Sequence, residues 1–253
     1  MPRRAVLTSK RPARRQGISI AEGAISDGAS VDQFVYERIH QAIIEQRLPP
    51  GTKLAEEPLS SLFGVSRARI RRVLLRLSHS KAVELRPNRG AYVAQPTTQE
   101  AREVFTARRV IEAHLVACVA NDLTPPQRQR LERHVALEHA AHERGDRGAA
   151  IRLSGEFHVL LAQIAGNEVL TRFLRELVSR TSLIIALYGG PGLSYCAYDE
   201  HQALLTELTA GRVQEAIDLM TRHLERIEAR LDLDRIPGAS VDLREVFAEK
   251  STL

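Results

Sequence analysis

Apolar and polar residues alternate with the period of an α-helix along most of the chain. The clearest stripe lies in residues 59–77 (LSSLFGVSRARIRRVLLRL), where a short helical segment, a turn at Gly64-Val65 and a second helix follow one another. Ser66 is the predicted N-cap of the second helix, because a serine hydroxyl accepts a hydrogen bond from a first-turn N–H. The apolar positions of that helix are spaced i, i+3, i+4 and i+7: Ile70, Val73, Leu74 and Leu77. The pattern predicts a helix-turn-helix.

Elements on either side extend this motif to a winged helix-turn-helix. A helix is predicted over residues 32–46, begun by Asp32 as its cap and ended by a Pro-Pro-Gly sequence. Two short strands are predicted after the motif, at residues 83–86 and 91–94, with a tight turn between them. They form the β-hairpin wing. We therefore predict a winged helix-turn-helix domain over residues 30–95.

Beyond this domain the pattern is helical throughout. Thr97 and Glu100 have the spacing of a capping box and begin a new helix. Amphipathic helices are predicted over residues 98–121, 125–144, 148–165, 168–188, 199–210 and 212–232. The chain is thus predicted to be mainly α, with an all-α bundle over residues 96–235. Residues 236–253 are predicted to be a loosely ordered tail.

Composition agrees with two globular domains in a chain of 253 residues. Aromatic residues make up 4% and Trp is absent, which favours an aliphatic, helical core. No apolar run is long enough to span a membrane, so a cytoplasmic protein is predicted. Residues 1–29 are basic, lack the apolar centre of a secretory signal and are predicted to be a disordered arm. Cys118 and Cys196 lack metal or disulfide spacing and are predicted to be buried thiols.

Positive charge is concentrated in the N-terminal part of the chain. Residues 1–95 contain 17 Lys and Arg against 8 Asp and Glu, net +9, whereas the whole chain is +5, which leaves −4 for residues 96–253. The second helix of the motif holds arginines and no acidic residue: Arg67, Arg69, Arg71, Arg72 and Arg76. A polyanion relieves their mutual repulsion, so we predict that this helix enters the DNA major groove. Arg89, at the tip of the wing, is predicted to reach a phosphate or the minor groove. The alternative is a solvated basic face.

Three histidines lie on the apolar faces of three different predicted helices: His158, His201 and His223. A lone histidine in such a place is usually a core residue, but three on separate helices predict an interior polar site. Three neutral imidazoles suffice to hold Zn²⁺ or Ni²⁺ with open coordination positions. The alternative is a metal-free pocket in which the histidines hydrogen-bond a ligand directly. The histidines of one more charged helix are predicted to be solvated: His134, His139 and His142.

Arg108 shares an apolar stripe with Val104 and Leu115 and is predicted to face the interior. A buried guanidinium group needs an anion. Glu112, one helical turn later, and the carboxylate of a bound ligand are both candidates, and the two can share Arg108.

Taken together, these residues identify the sequence as similar to the GntR family of bacterial transcription regulators, in the branch with an all-helical FCD ligand domain. The resemblance covers roughly residues 31–231. In the DNA-binding part it rests on Pro50-Gly51-Thr52-x-Leu54, Phe63-Gly64-Val65-Ser66-Arg67 and Arg89-Gly90-Ala91-Tyr92-Val93. In the helical part it rests on Arg108-x-x-Ile111-Glu112, Phe157-His158 and Ala165-Gly166-Asn167, with His201 and His223 later in the chain.

The resemblance implies a homodimer that reads a palindromic operator. It implies that Arg67 and Arg71 are the main contacts in the groove. The full set of predicted DNA-binding residues is Ser66, Arg67, Arg69, Arg71 and Arg89. The family's helical domain often holds a divalent metal on one Asp and three His, and binds a small carboxylate effector there. The corresponding metal ligands are His158, His201 and His223, and the corresponding effector residues are Arg108, Ser154 and Asn167. Two arginines also depart from the family pattern, because Arg69 replaces the usual Pro and Arg72 the usual Glu.

Ser154 is the departure that bears on the metal. The family's Asp stands at this position, one turn before the first histidine, so this chain has one carboxylate fewer. A neutral hydroxyl is a weaker ligand than a carboxylate.

We therefore predict a dimeric transcription regulator, a repressor, whose affinity for operator DNA is controlled by a small organic acid. Two other classes of protein fit the sequence less well. A metal-dependent hydrolase would leave the basic N-terminal domain unexplained, and no Glu or Asp has the H-E-x-x-H spacing of a general base. A constitutive architectural DNA-binding protein would leave the inward-facing polar residues without partners. The chain is predicted not to be an enzyme.

Overall fold

The structure, a computed structural model, describes three stretches of the chain: residues 28–189, 198–233 and 243–247. Most of the predicted basic arm, residues 1–29, lies outside the described residues. The same holds for Cys196 and for most of the predicted tail, residues 236–253. Among the residues that the structure describes, no helix is long and apolar enough to cross a membrane.

Helices dominate the described residues, and a small sheet lies near the N-terminus. In chain order the elements are α1 (Gly28–Ile44), β1 (Lys53–Leu54), α2 (Glu56–Phe63), α3 (Arg67–His79), β2 (Val83–Arg86), β3 (Gly90–Val93), α4 (Thr98–Asp122), α5 (Pro125–Glu143), α6 (Arg147–Ile164), α7 (Glu168–Tyr188), α8 (Tyr198–Thr209), α9 (Val213–Ala229) and α10 (Leu243–Phe247). The predicted mainly helical fold, a winged helix-turn-helix followed by an all-α bundle, is confirmed. We call residues 28–95 the head and residues 96–233 the bundle.

The head folds around one apolar core between its helices and its sheet. Its fully buried side chains include Ile39, Leu59, Phe63, Ile70 and Leu77. The sheet is antiparallel with strand order β1-β3-β2, so β3 lies in the middle. The predicted wing is formed by β2 and β3. The sequence did not predict β1, because two residues are too few to show an alternating pattern.

The turn between α2 and α3 forms for the reasons that the sequence suggested. Gly64 ends α2 with a φ of 64°, in the left-handed region where a side chain is disfavoured, and its N–H bonds the carbonyl of Ser60. The Ser66 side chain accepts a hydrogen bond from the N–H of Arg69, at 3.4 Å, and so caps α3. The predicted cap and turn are therefore confirmed.

Asp32 does not begin the first helix, and this prediction is wrong. The helix starts at Gly28, so Asp32 lies within its second turn. Its carboxylate instead accepts hydrogen bonds from two arginines of α3, Arg69 at 3.0 Å and Arg72 at 3.0 Å. Two charged partners outweigh one backbone N–H, because hydrogen bonds between charged groups are the stronger kind.

The bundle follows the predicted helices to within a few residues. Thr97 and Glu100 form the capping box at the start of α4, which confirms the predicted helix start. Asn167 caps α7 by accepting a hydrogen bond from the N–H of Leu170 at 3.0 Å, and it is exposed. The largest apolar cluster brings together side chains of α4 to α9, with Phe105 and Phe157 fully buried.

A short helix near the C-terminus packs on the head. In α10, Leu243 and Phe247 are buried and belong to the head's apolar core. The ring of Phe247 meets that of Phe63 edge to face, with centroids 5.3 Å apart. Arg47 donates a hydrogen bond to the carbonyl of Val246 at 3.0 Å. The predicted loosely ordered tail is therefore wrong for these residues, because three apolar side chains in five positions find a hydrophobic surface on the head.

The head meets the bundle where α1 packs against α7. His40 Nε2 and Ser179 Oγ are 3.1 Å apart, and Gln46 donates to the carbonyl of Ser182 at 3.3 Å. Leu183 of α7 belongs to the head's apolar core. Burial, helped by the nearby charge of Arg175, lowers the pKa of His40 from 6.5 to about 4. His40 is therefore neutral at pH 7.

This low pKa predicts that acid weakens the folded state. Between pH 6.5 and about 4 the unfolded chain takes up a proton on His40 that the folded chain excludes, so the free energy of unfolding falls as the pH falls. The loss amounts to about 3 kcal/mol and levels off below about pH 4. Urea unfolding at a series of pH values measures it. His40→Gln keeps a polar side chain without a titrating group, and its profile should be flatter; parallel profiles for both proteins would contradict the assignment.

Candidate functional site

Three buried histidines meet inside the bundle. His158 comes from α6, His201 from α8 and His223 from α9, and none is more than 4% exposed. Their ring centroids are 5.0–5.3 Å apart. One nitrogen atom of each ring lies within 4.8 Å of the others. The structure therefore brings the predicted histidines together, at a separation that one metal ion spans.

Each of these imidazoles is held at Nδ1 by a glutamate. The Nδ1–Oε2 distances are 2.5 Å from His158 to Glu112, 2.8 Å from His201 to Glu138 and 2.6 Å from His223 to Glu200. An ionised carboxylate only accepts hydrogen bonds, so each Nδ1 donates and the lone pair of each ring lies on Nε2. Carboxylates hold the histidines of metal sites in this way, fixing the tautomer and raising the basicity of the ligand nitrogen.

Sequence reasoning considered Glu112 only as a partner of Arg108 and missed Glu138 and Glu200. A signal for Glu138 was present: it stands three residues after the buried Val135 and three before the buried Ala141, on the apolar stripe of α5. A fully buried acidic residue needs a partner. No comparable signal marks Glu200, because it lies in the first turn of α8, where acidic residues are common for helix stability alone.

Arg108 is buried, as predicted, and only some of its guanidinium nitrogens have a hydrogen-bond partner. Its Nε donates to Glu112 Oε1 at 2.6 Å and its Nη1 to Thr181 Oγ1 at 3.2 Å. Its Nη2 has no hydrogen-bond partner among the described residues. A buried guanidinium N–H without an acceptor is costly, so this atom marks a place for an anionic ligand.

Glu112 connects Arg108 to His158 through its two oxygens. Burial alone would raise the pKa of Glu112, but the positive charge of Arg108 and the hydrogen bonds from His158 and Arg108 outweigh it and lower the pKa to about 2. Glu112 is therefore an anion at pH 7. The two remaining predicted effector residues differ, because Ser154 is buried one turn before His158 whereas Asn167 is exposed and caps α7.

The charges around the cluster favour a bound cation. Three carboxylates surround the imidazoles, and among the described residues Arg108 pairs with Glu112 and Arg226 with Glu200, the latter at 2.7 Å. Glu138 has no arginine partner among the described residues, and its Oε1 lacks a hydrogen bond there. The excess negative charge in a buried place and the nitrogen donors together fit Zn²⁺ or Ni²⁺.

The prediction that the histidines of α5 are solvated is wrong for His134 and His142. His134 Nε2 lies 2.8 Å from the carbonyl oxygen of Leu153 on α6, and its ring lies near that of Phe157. His142 is half-buried, and its Nε2 is shielded from solvent. The side chain of His139 is 43% exposed, and its Nε2 lies 3.4 Å from Glu143.

The arginines of α3 divide into two sets. Arg67 and Arg71 share one face of the helix and are exposed, and Arg71 forms two hydrogen bonds with Glu56, at 2.9 and 2.8 Å. Arg67 lies 3.9 Å from the same carboxylate. Hydrogen bonding to Arg71 lowers the pKa of Glu56 below its usual value, the charges of both arginines adding to the effect. The residues predicted to read DNA thus include an exposed pair that one carboxylate positions.

The other set faces α1. Arg69 and Arg72 bind Asp32, and Arg76 lies over the ring of Tyr36, 4.0 Å from its centroid. Arg69, predicted to contact DNA, is therefore committed to an ion pair within the head. Arg89 is exposed in the turn of the wing, as predicted.

Two family models match separate stretches of the chain. The one described as "Bacterial regulatory proteins, gntR family" matches residues 32–93, and that of the FCD domain matches residues 103–226. Among curated proteins, the HTH-type transcriptional repressor RspR of Escherichia coli (strain K12) is 31% identical over 135 residues, which cover 53% of this chain and 59% of RspR. The match thus spans less than two thirds of that relative. The HTH-type transcriptional regulator LutR of Bacillus subtilis (strain 168) is 24% identical over 203 residues, 72% of this chain and 92% of LutR.

Solved structures with the same fold include E. coli McbR/YncC, with a TM-score of 0.69 and 19% identity over 79% of this chain and 95% of that one. A transcriptional regulator GntR from Rhodococcus sp. RHA1 also has a TM-score of 0.69, with 23% identity over 79% of this chain and 96% of that one. At these identities the likeness concerns the fold alone.

The buried ion pair predicts a large difference between two glutamate variants. Glu112→Ala leaves Arg108 buried without its carboxylate and should cost about 3–5 kcal/mol of stability. Glu132→Ala breaks an exposed pair with Arg128 on α5 and should cost less than about 1 kcal/mol. Urea unfolding of both variants measures the two losses. Equal losses would show that the Arg108 pair is not buried as described.

Proposed function

Because the chain belongs to the GntR family of bacterial regulatory proteins, in the branch with an FCD domain, we propose that it is a DNA-binding transcription regulator controlled by a small organic acid. The observation that carries this proposal is the buried Arg108, whose Nη2 has no acceptor among the described residues, in the domain that is joined to a basic helix-turn-helix. The named relatives are transcriptional regulators and not enzymes, which favours a regulator over a hydrolase. We place its action in the cytoplasm, where operator DNA is found.

In the head, Arg67 and Arg71 are the proposed readers of base edges in the major groove. Both are exposed on one face of α3, and an arginine fork suits the acceptors of guanine. Ser66 sets the start of the helix by capping it, and Arg89 contacts the backbone or the minor groove from the wing. Arg69 holds α3 against α1 through Asp32 and acts on DNA only through that placement.

A homodimer accounts for apolar side chains on the surface of the bundle. Val110 on α4 and Val169 and Phe173 on α7 are 70%, 49% and 56% exposed, and these two helices pack on each other. Large apolar side chains with this exposure are more stable when the surface of another protein covers them. A second copy of the chain provides one, and its two-fold symmetry matches a palindromic operator.

In the bundle, Arg108 is the proposed anchor for a carboxylate of the effector, and Ser154, one turn before His158 on α6, is a proposed second contact. The proposed metal ligands are the Nε2 atoms of His158, His201 and His223. When bound, Zn²⁺ or Ni²⁺ would supply positive charge near a carboxylate that Arg108 holds. The glutamates orient the three rings whether or not an ion is present.

One stretch of α7 connects this site to the head. Thr181 contacts Arg108, while Ser179 and Ser182, two and one positions away, contact the head through His40 and Gln46. A ligand that moves Arg108 therefore acts on the helix that holds the head. For the acid to control DNA binding, the protein must adopt two arrangements of its head, and the acid must bind the protein more tightly in one arrangement than in the other. We propose that the protein is a repressor, like the relative RspR, which is named a transcriptional repressor.

The DNA proposal is tested with a fragment that the protein selects from a random pool and with a scrambled fragment of the same composition. Arg71→Ala should weaken binding to the selected fragment about ten- to hundredfold and to the scrambled fragment much less. Arg72→Ala, on the same helix but paired with Asp32, is the matched control and should have the smaller effect on selectivity. Fluorescence anisotropy at fixed salt gives the affinities. If Arg71→Ala and Arg67→Ala both keep the selectivity of the wild type for the selected fragment, then α3 is not the helix that reads the bases.

The metal proposal is tested with Zn²⁺ on three variants. Ser154→Asp adds a carboxylate one turn from His158 and should tighten Zn²⁺ binding. His201→Ala should weaken it at least about tenfold, whereas His139→Ala, outside the cluster, should leave it unchanged. Elemental analysis and calorimetry provide the measurements. A wild type that takes up no Zn²⁺ yet binds an organic acid would mean that the histidines bind the acid directly.

A further inference from the structure

We propose that Glu112 couples two ligands, because one carboxylate serves both the anion-binding Arg108 and the metal-binding His158. An anion on Arg108 and a metal ion on the three histidines then strengthen each other's binding. Glu112 acts here as a positioning residue and not as a metal ligand. The inference rests on the proposed function, in which the cluster holds a metal ion.

The geometry confines Glu112 to this double role. Its Oε1 lies 2.6 Å from Arg108 Nε, and its Oε2 lies 2.5 Å from His158 Nδ1. The side chains of all three residues are at most 3% exposed, so water does not screen the charges. A change in charge near Glu112 Oε1 therefore also changes the charge on Glu112 Oε2.

The direction of the coupling follows from electrostatics. The positive charge of Arg108 stabilises the negative charge of the Glu112 carboxylate. Glu112 is therefore a weaker hydrogen-bond acceptor for His158. An anion at Arg108 Nη2 neutralises part of that charge, so Glu112 accepts more strongly from His158 Nδ1 and makes the opposite nitrogen a better donor to a metal. By linkage, the metal must strengthen anion binding by the same factor.

The other two glutamates lack this connection and supply the control. Glu138 bonds His201 at 2.8 Å, as Glu112 bonds His158, but has no arginine partner among the described residues. Glu200 does pair with Arg226, whose side chain is 59% exposed and hence screened by water. The same change beside a proposed metal ligand is therefore made by Glu138→Gln and by Glu112→Gln. Only Glu112→Gln also breaks an ion pair with the buried Arg108.

The experiment measures the Zn²⁺ dissociation constant of the full chain by competition with a chromophoric chelator, without and with acetate as the probe anion. Both Glu112→Gln and Glu138→Gln should weaken Zn²⁺ binding about 10- to 100-fold. Acetate should tighten Zn²⁺ binding about fivefold or more in the wild type and in Glu138→Gln. In Glu112→Gln acetate should have no effect.

Arg108→Lys breaks the same link from its other end and keeps the inference testable if Glu112→Gln does not fold, as judged by circular dichroism. It should bind Zn²⁺ nearly as the wild type does, without the acetate effect. An acetate effect that persists in either variant, as direct coordination of acetate to zinc would produce, overturns the coupling. So does a wild type that binds Zn²⁺ without responding to acetate. If the wild type binds no Zn²⁺, the proposed metal site is wrong as well as the coupling. This result therefore distinguishes a failure of the proposed function from a failure of the coupling alone.

Discussion

A charge buried away from water must be matched, and this constraint organises the interior of the bundle. Arg108, Glu112 and His158 form one continuous chain of hydrogen bonds from two helices, with Thr181 of a third helix at its end. None of these groups is tolerable alone in an apolar core. Together they fix the relative positions of α4, α6 and α7, and they leave one guanidinium nitrogen open to a ligand. The same contacts thus hold the bundle together and form the proposed binding site.

The constraint extends to the head because α7 has two neighbours. Between residues 179 and 183, Thr181 contacts Arg108 in the bundle, Ser179 contacts His40 of α1, and Leu183 lies in the head's own core. A helix that is packed on both sides moves as a rigid unit, because close-packed interiors transmit displacement rather than absorb it. The position of the head is therefore set by the same helix that closes the ligand site.

Sequence periodicity predicted the helices, the wing and the convergence of the three histidines, since burial imposes regular spacing on each element. It did not predict the partners of buried groups. Glu138 and Glu200 meet His201 and His223 only in the folded bundle, and Asp32 meets Arg69 and Arg72 across 37 and 40 residues of chain. Such pairings depend on tertiary packing, which no local pattern encodes. For the same reason the arginines of α3 looked alike in sequence but have two different environments in the structure.

The packing of α10 on the head bears on the order in which the protein folds. The ribosome makes the head first, yet Leu243 and Phe247, which complete its core beside Phe63, are made after the whole bundle. A nascent head therefore leaves part of its apolar surface uncovered while the bundle is synthesised. Completion of the head's apolar core waits until the bundle has been made, so a product cut short within the bundle lacks part of that core. The packing of the DNA-binding head in this way depends on residues that are made after the bundle.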